Sequence, residues 1–318
     1  MGAKNNSNEI SFTRVYDAPV SLVWEAWTDP KKAAKWWGPR GWSITTHSKD
    51  LKVGGIWHYT MHGPNGENIP QKTVYHEVVS ESRLVYDHGG YDDREPLFRV
   101  DVTFKEVKGK TKMDMTMTFA SPEKAMEIGK FIKQASGYST WDRLGEYLGK
   151  ETKDKEQFII NRTFEAPINV VYDMWTNPKH FAKWLGPTGA TMQFIRADIK
   201  ADGNSFYMMT TDSGVTMYGN IKYLELHKPD LIVYTQQFSD RDEKMSRHPM
   251  MPTWPATMLT VVQLAEEAPG RTRVTVTWEP HGDFTAEEVA TFVKERAGMT
   301  QGWTGSFDKL EEYLLQNA

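Results

Sequence analysis

Apolar and polar residues alternate from Glu9 to Tyr16, the period-2 pattern of a half-buried strand, and the alternation stops at Ala18-Pro19. Proline suits the first turn of a helix, where an N–H would be unpaired anyway. The run Pro19 to Trp27 therefore predicts a short helix with Val20, Val23 or Trp24, and Trp27 on one face. A second short helix is expected from Pro30 to the stop at Gly38-Pro39. Segments rich in Val, Thr, Tyr and Met follow near residues 43–49, 55–62, 72–79, 83–88, 97–106 and 111–119, punctuated by Gly and Asn, and predict six strands of an antiparallel meander. After them the period changes. Ile128, Phe131, Ala135, Tyr138, Trp141, Leu144 and Leu148 recur at three and four residues, which predicts one long helix from about Ser121 to Leu148, capped at Ser121-Pro122-Glu123. A sheet of this kind must bury one face, and the terminal helix is the element available to cover it.

The whole pattern then recurs. Arg14-Val15-Tyr16-Asp17-Ala18-Pro19 reappears as Arg162-Thr163-Phe164-Glu165-Ala166-Pro167, a spacing of 148 residues. The same spacing relates Trp27 to Trp175, Trp36 to Trp184, Gly38-Pro39 to Gly186-Pro187, Tyr75 to Tyr223 and Tyr86 to Tyr234. Near the ends the offset is 166, pairing Asp142, Leu144 and Tyr147-Leu148 with Asp308, Leu310 and Tyr313-Leu314, so the second copy carries a net insertion of 18 residues. The extra residues centre on Asp240 to Pro255, where Met250, Met251, Trp254 and three prolines make a stiff segment with apolar tips. It is expected to pack on its own domain, to act as a lid, or to offer a contact surface. The expected organisation is a first domain over 1–150, a charged linker at 151–156 and a second domain over 157–318.

Composition narrows the chemistry. The chain has no cysteine, which excludes disulfides, thiol nucleophiles and cysteine-ligated metals. Residues 1–150 hold 21 basic and 19 acidic residues against 17 and 23 in the remainder, giving +2 and −6, without the basic excess that a nucleic-acid partner requires. No apolar run suggests a membrane span, and Met1 to Asn8 lacks the apolar core of a secretory signal, so the expected location is cytoplasmic. Phosphate-binding glycine loops, His-Glu-x-x-His and Gly-x-Ser-x-Gly are all missing, and the nine histidines show no metal spacing, so no cofactor, metal or catalytic residue is predicted. His58 and His62 could meet His76 or His88 across strands, but read as surface or satisfied core groups. Asp92-Asp93 with Glu95 reads as a solvated turn.

The order Ala-Pro, Trp-containing helix, Trp-x-Gly-Pro (Trp36 to Pro39 and Trp184 to Pro187), Asp50-Leu-Lys-Val-Gly-Gly55 and Gly302-Trp303 before Leu310 resembles the family named for the activator of heat-shock-protein-90 ATPase, once per half. That family belongs to the START-like, or SRPBCC, superfamily with a Bet v allergen-like helix-grip fold. The resemblance implies an α+β chain of two tandem helix-grip domains. Each would be a curved antiparallel sheet wrapped on a long C-terminal helix, with two short helices after the first strand. It also implies an apolar pocket, since superfamily relatives bind lipids, hormones or polyketides and a few are cyclases or hydroxylase components. The copies depart from each other in two places. Tyr138 stands where the second copy has Trp303, and Gly54-Gly55 becomes Asp202-Gly203.

Aromatics and methionines are the candidate pocket lining. Trp57, Tyr59 and Met61 share one strand face, as do Tyr207 and Met209, and the terminal helices offer Tyr138, Trp141, Met299, Trp303 and Phe307. Tyr59, Tyr75, Tyr86, Tyr207, Tyr223 and Tyr234 would supply hydroxyls to orient a ligand. The expected function is non-enzymatic binding of a small hydrophobic or aromatic molecule, one pocket per domain. Two alternatives stay open: an enzyme of cyclase or hydrolase type using pocket Tyr, His or Asp groups, and a protein-binding module with a chaperone or other protein as its partner.

Overall fold

Proline decides where the first strand of each copy ends. In the computed structural model, which describes residues 7–134, 139–152 and 157–316, β1 (Glu9–Tyr16) gives way at Pro19 to α1 (Val20–Thr28), which is followed by α2 (Pro30–Ala33). The Asp29 carboxylate caps the second helix by accepting from the backbone N–H groups of Lys31 and Lys32. The two helices are locked together when the Trp36 indole donates to the Ala26 carbonyl at 3.0 Å. The lysine of the next strand caps the first helix from the other end: the Lys49 ammonium donates to the Trp27 carbonyl at 2.9 Å and lies 3.8 Å from the centre of the Trp57 ring. Burial holds this ammonium down at about 7, against the opposing pull of Asp29.

Six strands complete the first sheet: β2 (Ser43–Lys49), β3 (Ile56–His62), β4 (Asn68–Val79), β5 (Arg83–Gly90), β6 (Phe98–Val107) and β7 (Lys110–Thr118). The order across it is β1-β7-β6-β5-β4-β3-β2, antiparallel throughout, so every connection but one joins neighbours. Alternation places Val100, Val102 and Phe104 of β6 and Met113, Met115 and Met117 of β7 on the buried face. Helices α3 (Pro122–Gln134) and α4 (Ser139–Thr152) follow.

The second copy repeats the plan. Its elements are β8 (Phe158–Phe164), α5 (Ile168–Thr176), α6 (Pro178–Trp184), β9 (Ala190–Arg196), β10 (Asn204–Thr211), β11 (Thr216–His227), β12 (Leu231–Ser239), β13 (Thr257–Ala268), β14 (Arg271–Pro280), α7 (Ala286–Lys294) and α8 (Arg296–Gln316). Its sheet runs β8-β14-β13-β12-β11-β10-β9. Each copy is thus α+β, a seven-stranded antiparallel sheet closed by C-terminal helix, in tandem with the other. Contacts divide the chain into two compact units, Met1–Thr152 and Lys153–Ala318. Residues 153–156 of the expected linker lie outside the described residues, while 151–152 continue α4. Among the described residues, no helix is long and apolar enough to cross a membrane.

The repeated sequence motifs correspond to repeated contacts. Trp184 donates to the Met174 carbonyl at 3.0 Å as Trp36 does to Ala26, and Thr272 and Thr111 donate to the carbonyls of Ala166 and Ala18 at 2.8 and 2.7 Å. The glycine that both copies keep is the one without space for a side chain: a Cβ on Gly55 would lie 2.1 Å from the Asp50 carbonyl, and on Gly203 2.2 Å from that of Asp198. Its predecessor can change because Asp, like Gly, tolerates positive φ, and Asp202 adopts +61°.

The terminal helix differs from the expectation of one continuous element. In the second copy two helices stand, broken at Glu295, whose backbone leaves the helical region. In the first copy residues 135–138, Ala135 and Tyr138 among them, lie outside the described residues, as does the side chain of Phe131. Apolar period alone does not detect such a break, because two helices packed on one sheet keep the same face inward.

Candidate functional site: a cavity in each domain

Packing leaves room between sheet and terminal helices in both domains. In the first, a cavity of about 370 Å³ is walled by the turn Trp37-Gly38-Pro39, by Met61, Val100, Met115 and Met117 of the sheet, and by Ile128 and Trp141 of α3 and α4. The turn is possible because Gly38 takes φ +96°. Arg143 of α4 holds it in place, donating one guanidinium nitrogen to the carbonyls of Gly38, Pro39 and Trp42 at 2.7, 2.9 and 2.9 Å. Beneath the cavity Trp27 stacks on Trp141, with centroids 5.3 Å apart and planes 14° from parallel.

Few polar groups face this apolar wall: Gln71 of β4, Tyr86 and His88 of β5, Thr140 of α4, and Arg94 at the exposed mouth. Loss of hydration holds the His88 imidazole down at about 4, so it is neutral at pH 7, with its ring stacked on Phe98 at 5.0 Å. Burial pushes the Tyr86 hydroxyl well above its ordinary range, and the neighbouring Tyr75 and Tyr59 phenols add to that shift. No carboxylate is among the described lining residues.

The second cavity is smaller, about 210 Å³, and lies under Leu185, Gly186 and Pro187, with Tyr207, Met209, Met217, Trp278, Met299 and Trp303 around it. Trp303 stacks on Trp175 at 5.9 Å and meets Trp278 edge-on at 5.5 Å. The described residue that does in the first domain what Trp303 does here is Trp141, although the 166-residue offset matches Trp141 to Phe307. Of the two glycines flanking Trp303, Gly302 borders the cavity with open space where a Cβ would be, and Gly305 brings α8 so close to Thr188 that a Cβ would lie 2.5 Å from its hydroxyl. The Tyr207 hydroxyl is pushed up to about 12 by burial, with a hydrogen bond from Gln236 acting the other way.

The residues expected to line pockets divide into two groups. Met61, Tyr86 and Trp141 border the first cavity, and Tyr207, Met209, Met299 and Trp303 the second. Trp57, Tyr59, Tyr75, Tyr223, Tyr234 and Phe307 are buried in the core behind the walls. Tyr138 falls outside the described residues. Sequence reasoning missed Gln71, His88, Met115 and Met117, and in the second domain Gln236 and Trp278. Strand parity could have found the first four, since Gln71 shares a face with Tyr75 and His88 with Tyr86.

Other candidate chemistry is placed on the surface. His62 bonds Thr45 and Asn68, while His76 pairs with Asp87, which also takes Arg99. Asp92 pairs with Lys72 in the solvated turn. The insertion packs on its own domain: Trp254 is buried against Phe292 of α7, Thr253 bonds Thr291 and Arg247 pairs with Glu288. Its His248 meets Phe238, a cavity-lining residue, edge-on at 4.8 Å.

A profile of the family described as Activator of Hsp90 ATPase homolog 1-like protein matches residues 17–149 and again 165–315. Among curated proteins no relative matches. Among solved structures, a protein of Nitrosomonas europaea is 24% identical, covering 45% of this chain and 96% of its own, with a TM-score of 0.42. A protein of Staphylococcus epidermidis is 27% identical, covering 52% of this chain and 93% of its own, with a TM-score of 0.41. The di-domain ARO/CYC BexL of the BE-7585A biosynthetic pathway is 13% identical over 96% of this chain and 97% of its own, with a TM-score of 0.39.

Proposed function

Because the chain belongs, in both halves, to the family described as Activator of Hsp90 ATPase homolog 1-like protein, whose domain here encloses a cavity, we propose that it is a non-enzymatic binding protein for small hydrophobic or aromatic molecules. Each domain holds one pocket, and the first is the principal one. The observation that carries this reading is the apolar cavity of about 370 Å³ in the first domain, within the range of small-molecule sites and lined by few polar groups.

The same walls argue against acid–base chemistry. A general acid or base works best with a pKa near the operating pH. Here the phenols are held far above it and His88 far below it, which leaves neutral groups suited to orientation rather than proton transfer.

Native mass spectrometry of the purified protein should find a retained small molecule. After its removal, the neutral apolar probe N-phenyl-1-naphthylamine should fluoresce on binding and shift the methyl resonances of Met115 and Met117, which border the first cavity. A probe that neither brightens nor moves those methyls would overturn the proposal.

A further inference from the structure

The wall of the first cavity carries a polar atom that no described residue pairs with. Gln71 is 7% exposed, yet among the described residues its Oε1 has no hydrogen-bond partner. Tyr59 stands directly opposite across β3 and β4, but its buried hydroxyl is likewise without a hydrogen-bond partner among the described residues and does not pair with the amide. Native structures rarely leave a buried amide unpaired, because its lost hydration is then uncompensated.

The second domain shows what happens when no such group is kept. At the matching position stands Gly219, and the Tyr207 ring lies across it so closely that a Cβ there would be 2.5 Å from the phenol oxygen. That phenol bonds Gln236, and Gln236 in turn accepts from Thr260 at 3.2 Å. Among the described residues, the second cavity's unpartnered buried groups are the indole N–H donors of Trp278 and Trp303, whereas the first cavity is bordered by the unpartnered amide oxygen of Gln71.

Charge sets the other half of the requirement. Among the described lining residues the one with a permanent charge, Arg94, is exposed at the mouth and already donates to the carbonyls of Gly89 and Pro70 at 3.0 and 2.7 Å. A carboxylate or an amine pushed to the level of Gln71 would meet no counter-charge in an apolar wall, and burying an unpaired charge is far more costly than burying a hydroxyl. A terminal amide accepts at one atom and donates at the other, so the matching group is one that can do either.

Building on the binding function proposed above, we infer that the first domain selects an uncharged aromatic ligand that carries a hydroxyl or amide at its inner end, held by Gln71. The test uses the full chain with labelled methionine methyls, since Met115 and Met117 report the first cavity and Met209 and Met217 the second. Naphthalene, 2-naphthol and 2-naphthoate are titrated at pH 7. One hydrogen bond predicts that 2-naphthol shifts the Met115 and Met117 methyls with about tenfold higher affinity than naphthalene, and that 2-naphthoate binds at least tenfold more weakly than 2-naphthol. In Gln71→Leu the preference for 2-naphthol over naphthalene should vanish while naphthalene still binds. Should that variant not fold, the wild-type order of affinities decides alone. Equal affinity for naphthalene and 2-naphthol, or 2-naphthoate binding as tightly as 2-naphthol, overturns the inference and leaves the binding function standing. If none of the three moves those methyls, the binding function fails and the inference with it.

Discussion

The two domains share strand order, helix caps and four pairs of matching tyrosines, yet one cavity is about 370 Å³ and the other about 210 Å³. The difference lies in a few side chains rather than in the frame. Across from Val100 stands Met117, and across from its counterpart Thr260 stands Trp278, so an indole occupies second-domain space that a thioether leaves open in the first. Tyr207 lies over Gly219, and the insertion backs Phe238 with His248. The second domain thus fills with its own aromatics much of what the first leaves empty. Core positions that hold the sheet on its helices are shared between the copies, whereas wall positions are free to diverge, because the fold does not depend on the void being filled.

The largest effect should come from the stacked tryptophans. Trp303 is 4% exposed between Trp175, Trp278 and Phe307, so Trp303→Ala should destabilise the second domain by about 3 kcal/mol, the low end for a large aromatic because one edge already borders a void. Trp141→Ala should cost the first domain less, about 2 kcal/mol, since Trp141 is only half-buried beside the larger cavity. Urea unfolding followed at the Met299 and Met115 methyls reads each domain separately. Equal losses would mean that cavity size does not govern the cost.

A titration distinguishes the domains next. His88 sits at about 4 in the folded state against an ordinary 6.5, so between these values the unfolded chain binds more protons than the folded one. Stability is therefore fully present above pH 6.5 and lost as pH falls toward 4, by about 2 kcal/mol. The matching residue, Gln236, does not titrate. His88→Gln should remove this loss from the first domain, measured as the difference in unfolding free energy between pH 7 and 4.5; an unchanged slope would show that the imidazole is not held neutral. Lys49, at about 7 against 10.5, gives the same sign between those two values, and Ala197 stands at its counterpart.

The smallest effect tests the wall itself. Trp278→Met should cost about 1 kcal/mol and enlarge the second cavity toward the first. Naphthalene should then shift the Met209 and Met217 methyls at lower concentration than in the parent protein. No gain in affinity would show that Phe238 and Tyr207, rather than Trp278, limit the space.

Much of this organisation was legible in residue order alone. The duplication, the Pro-capped short helices and the seven strands of each copy follow from period, proline and spacing, because these act over a few residues wherever the chain lies. The pocket was legible only in outline. Met61, Tyr86, Trp141, Tyr207, Met209, Met299 and Trp303 reach the cavities, but Trp57, Tyr59, Tyr75, Tyr223, Tyr234 and Phe307 share their residue types and faces and are spent on core. An inward-facing position is set by strand parity, a local property. Whether that position ends on a wall or inside packed core depends on what the helices bring opposite it, which no local pattern encodes. The break at Glu295 in the second terminal helix, the pairing of Trp141 with Trp303 in role, and the Gln71 amide oxygen that no described residue pairs were likewise decided by contacts between residues far apart in the chain. Sequence by itself determined the repeated frame, through short-range geometry; tertiary structure alone decided where that frame stays empty, through the volumes of side chains that meet only after folding.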